Sequence, residues 1–194
     1  TGYGRNGTYY NTFSGSTASF NIEGNLMSLL KLDEFEGRGL SKAGTNYYTF
    51  DKLFANTNVI SAEKLILPSD LTEDCYRFMF SDCTSLTVAP ELPATTMRRE
   101  CYNSMFRGCT SLTTAPELPA TQLVNSCYYS MFSGCTSLNY IKCLALNVEY
   151  NHYPCTTFWV DGVASTGTFV KNANMTRWTT GASGIPTNWT VQNA

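Results

Sequence analysis

Apolar positions in this chain fall on a fixed step. Leu71, Cys75 and Met79 stand four apart, and the spacing returns in Met97, Cys101, Met105 and in Leu123, Cys127, Met131. Spacing of i, i+4, i+8 puts each trio on one stripe, so the pattern predicts three short helices. Asp70 with Glu73 three residues on fits a capping box, and Thr96 and Thr121 are the matching starts of the next two. Asp82, Gly108 and Gly134 follow the helical stretches, where a left-handed closing residue is wanted.

After each predicted helix comes Cys-Thr-Ser-Leu, at 83–86, 109–112 and 135–138, and then an extended run. In the last copy Leu138, Ile141 and Cys143 follow L-x-x-L-x-L, the strand pattern of a leucine-rich repeat. The middle copies keep Leu86 with Ala89 and Leu112 with Ala115, then insert Pro90 and Pro116. Proline cannot donate to a strand ladder, so the strand there is expected to be very short. Leu92 and Leu118 then turn inward, and Pro93 and Pro119 lead to the next helix. The copies start at Cys75, Cys101 and Cys127, a constant step of 26 without slippage. A fixed period of this size predicts a solenoid, in which each unit buries its apolar face against its neighbours.

The flanks lack the repeat. Residues 1–46 are expected to form an N-terminal cap: a Thr/Ser/Tyr-rich strand, then the apolar run Asn25–Leu32 as a buried short helix or strand. Residues 47–146 read as about four repeats, the first degenerate, with Phe54 and Ile60 in register with Phe80 and Leu86 and Thr57 in the cysteine's place. Residues 147–194 hold Trp159, Trp178 and Trp189 among glycines, with the strand-like run Gly167-Thr-Phe-Val-Lys171. They predict a Gly/Trp-rich C-terminal cap.

The core motif resembles a known family. Phe80/Cys83/Leu86, Phe106/Cys109/Leu112 and Phe132/Cys135/Leu138 match the Phe-x-x-Cys-x-x-Leu of BspA-type leucine-rich repeats of bacterial surface proteins. The unit is longer than the roughly 23 residues usual in that family. It departs from the family also in Pro90 and Pro116. The stretch WVDGVASTGTFVKNANMTRW resembles segments that close such arrays in gut-bacterial and gut-phage proteins. The resemblance implies a curved right-handed superhelix and a role in adhesion or recognition. The expected fold class is therefore an α/β solenoid, a right-handed leucine-rich-repeat superhelix with one short parallel strand and one short helix per coil.

Composition narrows the function. Charged residues make up 14% of the 194-residue chain, against about 25% on average, and the net charge is −2. That balance leaves no nucleic-acid footprint. No window holds the ~18 apolar residues of a membrane helix, so no membrane insertion by this segment is expected. A Thr/Ser/Asn/Tyr surface suits a secreted or cell-surface protein. Thr1-Gly-Tyr-Gly is an implausible native start, and a leader or a longer N-terminal part is expected to have been removed before it.

Eight cysteines invite a disulfide or zinc reading, but zinc needs clustered ligands and the nearest pairs here stand eight apart. Cysteines that recur at core positions are expected to be stacked free thiols, small hydrophobes in effect. Cys143 and Cys155 lie outside the ladder and are the pair left open to bond with each other. A Cys–His nucleophile would have to use His152, a lone histidine read as solvated. Glu91 and Glu117, one period apart, are the stacked carboxylates that any repeat protein generates. No metal, cofactor or catalytic residue is expected, and the chain reads as not an enzyme.

The leading expectation is a recognition or adhesion module that binds a host protein or glycan through the exposed strand face. The outward strand positions are Thr87, Val88, Thr113, Thr114, Asn139, Tyr140 and Lys142. Tyr129, Tyr150 and Tyr153 are further aromatic candidates because they do not repeat. The alternative is a structural spacer in a surface or phage-tail assembly.

Overall fold

A computed structural model describes Phe13 and residues 17–29, 48–148 and 154–194. Its regular elements are five strands and one 3-10 turn. They are β1 (Phe20–Asn25), the 3-10 turn Leu26–Leu29, β2 (Val59–Ile66), β3 (Tyr140–Cys143), β4 (Thr168–Lys171) and β5 (Thr190–Asn193). Two small parallel sheets result, β1-β2 and β3-β4-β5. Among the described residues there is no α-helix. The expected α/β solenoid, a leucine-rich-repeat superhelix with a helix in every coil, is overturned: the described residues are almost entirely sheet, turn and loop.

What replaces the predicted helices is a ladder of turns. In 74–83, the N–H groups of Asp74, Tyr76, Phe78, Phe80 and Asp82 donate to the carbonyls of Arg99, Cys101, Asn103, Met105 and Arg107 in the next copy, at 2.6–3.0 Å. The N–H groups between them, on Arg77, Met79, Ser81 and Cys83, donate three positions back within the same copy at 3.0–3.3 Å. Residues 48–56, 100–109 and 126–135 repeat this alternation. Every second rung thus ties one copy to the next, which satisfies the backbone without a helix.

Each fourth residue of the ladder is left-handed. Lys52, Asn56, Phe78, Asp82, Ser104, Gly108, Ser130 and Gly134 have φ between 49° and 77°. No α-helix survives a left-handed residue every four positions. The inward stripe predicted from the sequence is nonetheless buried: Leu71, Cys75 and Met79 are at most 2% exposed, as are Cys101, Met105, Leu123, Cys127 and Met131. A helix drifts by about 40° for every four residues, whereas a four-residue turn unit keeps i, i+4, i+8 on one face.

The core consists of aromatic files running through the copies. Phe54, Phe80, Phe106 and Phe132 stack with centroids 5.4–5.7 Å apart. Phe50, Tyr76, Tyr102 and Tyr128 form a second file at 5.7–6.2 Å. Both end on Trp159, fully buried, 6.2 Å from Tyr128 and 6.3 Å from Phe132. Trp159 stacks in turn on Trp178 at 5.4 Å. Offset aromatic pairs at such separations add roughly 1 kcal/mol each beyond their burial.

The extended side of each copy is weaker than its turn side. Between the two sheets, among the described residues, only isolated bridges form, Ser61 with Val88, Thr96 with Gln122, Thr114 with Tyr140 and Leu118 with Cys143, because Pro90 and Pro116 remove donors there. Ile60, expected inward, is 39% exposed, while Val59 is fully buried; the degenerate first copy is one position out of the register read from spacing. At the far end Gly167 lets the chain pass under Trp189. A Cβ there would meet the Asn139 carbonyl and come within 2.8 Å of the indole.

Much of the expected N-terminal cap, residues 1–46, lies outside the described residues. Its described part places β1 beside β2, with Leu26 and Met27 of the apolar run buried. His152, Tyr150 and Tyr153 also lie outside them.

Candidate binding face

Alternation along β3 sets the candidate face. Ile141 and Cys143 point into the core, fully buried, so Tyr140 and Lys142 take the outer positions and are half-buried. Parallel pairing aligns Tyr140 with Thr168 of β4, and Thr168 with Thr190 of β5. On the other side Tyr140 is bridged to Thr114. One copy further, Val88 is bridged to Ser61 of β2. Thr87, Val88, Thr113, Thr114 and Asn139 are all exposed. Of the seven residues singled out from the sequence, Tyr140 and Thr114 are thus brought side by side, and Tyr140 and Lys142 share the outer side of β3.

Three neighbours escaped the sequence reading. Ser61 joins the row beside Val88, and Thr168 joins it between Tyr140 and Thr190. Their separations along the chain depart from the period of the copies, so stepping by that period does not find them. The run Gly167–Lys171 was legible as a strand; only its alignment with Tyr140 was not.

The face is nearly neutral. Lys142 Nζ donates to Glu117 Oε2 at 3.0 Å, so the face's one cation is matched by a carboxylate from the preceding copy. That pair takes Glu117 out of the stacked-carboxylate arrangement with Glu91. Backbone polar groups under the face are engaged as well: Thr87 N–H with Ile60 O, Asn139 N–H with Thr113 O, and Ala115 N–H with Tyr140 O, at 2.8–2.9 Å. What remains toward solvent is hydroxyl, amide, one phenol and the Val88 methyls.

The eight cysteines are buried thiols, and no disulfide joins Cys143 to Cys155. Burial pushes Cys101, Cys135 and Cys143 up to about 12 and the other ladder thiols upward too, so no ladder thiol is a thiolate at neutral pH. Among the described residues no group of three or more His, Cys, Asp or Glu is placed to hold a metal ion, and no helix is long and apolar enough to cross a membrane.

Two carboxyls on the turn side are unusual. Burial lifts Asp51 and Asp74 to about 6 each; at Asp74 the Glu100 carboxylate, within hydrogen-bond reach in the next copy, raises it further. Near the C-terminus a cleft of about 280 Å³ opens between 160–165 and 181–188. Comparison with family models, curated proteins and solved structures finds no match to this chain.

Proposed function

We propose that the chain is a non-enzymatic recognition module of a secreted or cell-surface protein, with the face around Tyr140 as its binding surface. One observation carries the reading. A row of uncharged polar side chains, from Thr114 past Tyr140 to Thr168 and Thr190, crosses the last copies, and Lys142 beside it is paired with Glu117. Such a surface offers hydrogen bonds and one aromatic ring but little electrostatic attraction, which suits a neutral glycan better than a charged protein epitope. Its width points the same way. Strands lie ~4.8 Å apart, so a few short strands give less than the ~800 Å² per partner of a standard protein interface.

An array of neutral and charged host glycans together with matrix proteins tests this, read with the native chain and with Tyr140→Ala. Binding to neutral glycans that the variant loses supports the reading. Binding confined to proteins or acidic glycans, or unchanged by the variant, overturns it.

A structural spacer is the second reading, favoured by one feature. All four residues of β5 are exposed, and none is charged or proline, so this sheet edge is open to another chain. Silence on the array together with end-to-end assembly in solution would favour the spacer.

A further inference from the structure

The rungs of the turn ladder run out at one place. At equivalent positions Asp82, Gly108 and Gly134 donate their N–H groups to Arg107, Ser133 and Asp161 in the next copy, at 2.6–2.8 Å. Gly162 is the next in that series. Its left-handed φ of 71° repeats the geometry, yet its N–H meets no acceptor, because the closing segment engages Phe158 through Ser183 and Val160 through Ala182 and stops there. Gly162 therefore lines the cleft, exposed, with an amide nitrogen that nothing holds.

Asp161 precedes it. Its carboxylate is exposed on the same cleft and makes neither an ion pair nor a hydrogen bond. Among the described residues this is the one place where an Asp or Asn is followed by Gly. Glycine has no side chain to shield its nitrogen or restrict the approach.

We propose that Asp161–Gly162 is a site of spontaneous isoaspartate formation, and hence a substrate for a protein-isoaspartate methyltransferase. The Gly162 nitrogen attacks Cγ of Asp161. The N–Cγ bond forms, a Cγ–O bond breaks, and one water leaves with the amide proton. Water then opens the resulting five-membered imide at either carbonyl. Attack at the main-chain carbonyl leaves the chain running through the Asp161 side chain, one methylene longer, and frees an α-carboxylate. No oxidant or cofactor enters, and the net mass is unchanged. The Asp161 carbonyl that accepts from Gly134 becomes part of that carboxylate, so the last rung of the ladder is altered. This inference does not depend on the binding face.

The test ages the intact chain at neutral pH and body temperature in heavy-oxygen water, followed by peptide mapping and enzymatic methyl labelling. The expected result is a methyl-accepting peptide spanning 161–162, isobaric with the starting peptide in ordinary water and heavier by the label in heavy-oxygen water, formed in the folded chain at a rate comparable to that in denaturant. Asp161→Ser, which installs the serine found at Ser81 and Ser133, should abolish it. Ser133→Asp places the same dipeptide one copy inward, where the Gly134 N–H is bonded; that site should stay unmodified when folded and react in denaturant. Protection of Asp161 in the folded chain relative to denaturant overturns the proposal, and this arm needs no variant to fold. Equal rates at 133 and 161 in a cooperatively melting Ser133→Asp chain overturn it as well. Deamidation at Asn6–Gly7 falls in a different peptide and is read separately.

Discussion

The thiol of Cys109 donates to the carbonyl oxygen of Phe80 at 3.1 Å, reaching from one copy into the copy before it. Cys83 makes the same bond to Phe54 and Cys135 to Phe106, each at 3.0 Å. In the first copy the Thr57 hydroxyl, which stands at the cysteine's place, donates instead within its own copy to Phe54 O at 2.7 Å, so that carbonyl accepts from both Thr57 and Cys83. Removing the thiol loses a hydrogen bond and leaves a small void. Cys109→Ala should cost about 1–2 kcal/mol by denaturant unfolding, and Thr57→Val about 1 kcal/mol. Alkylation should reach none of the ladder thiols in the native chain and all of them in denaturant; rapid native labelling would show that the copies open.

Left-handed positions give a prediction with opposite signs at neighbouring sites. A Cβ on Gly134 would find ordinary contact, 3.6 Å from Gly108 Cα, so Gly134→Ala tests conformation alone. It should cost about 1–2 kcal/mol. Ser130, at φ 49°, already bears that penalty, and Ser130→Gly should be neutral or stabilising by up to about 1 kcal/mol. Thermal or denaturant melting reads both, and a destabilised Ser130→Gly would argue against the turn geometry.

Asp51 and Asp74 predict an acid-stabilised fold. Their folded values of about 6 lie above the ordinary 3.8, because burial penalises the charged form and, at Asp74, Glu100 adds repulsion. A raised carboxyl favours folding fully below its unfolded value and loses that contribution as pH rises through about 6. Lys52, Arg77 and Arg99 face the pair and offset part of the cost. Stability should fall by roughly 1–2 kcal/mol between acid and neutral pH, after allowance for screening. Asp74→Asn should flatten that profile and match or exceed the native chain at neutral pH. A melting temperature that rises with pH across this window would contradict the assignment.

Tyr140 and Thr113 separate binding from packing. Tyr140→Ala should weaken binding of the partner found on the array while leaving the melting temperature within a few degrees. Thr113→Ala, at an exposed position without a side-chain hydrogen bond among the described residues, should change neither. An equal loss of stability in the Tyr140 variant would make this tyrosine a packing residue, with the site elsewhere.

The sequence made the inward residues legible and the element that carries them illegible. Cys75, Met79, Phe80, Leu86 and Leu112 are each fully buried, as their recurrence requires. Their four-residue spacing fits both a helical stripe and a chain of four-residue turns, because the two diverge only slowly over two such steps. A discriminating signal was present in the short polar residues at Asn56, Asp74, Asp82, Ser104, Ser126 and Ser130, which suit a left-handed residue and lower helix propensity. Exposure was readable where the period holds, at Thr87, Thr113 and Asn139. The alignment of Thr168 and Thr190 with Tyr140 was lost where insertions shift the register.

Cross-hydrogen-bond NMR couplings test the turn ladder most directly. In the ladder, the Phe80 amide is bonded to the Met105 carbonyl of the next copy at 2.8 Å, and the Met79 amide to the Tyr76 carbonyl at 3.1 Å. An α-helix over the same stretch would bond the Phe80 amide to the Tyr76 carbonyl instead. A coupling from the Phe80 nitrogen to the Met105 carbonyl carbon, with none to Tyr76, is the predicted result. A Phe80–Tyr76 coupling would contradict it.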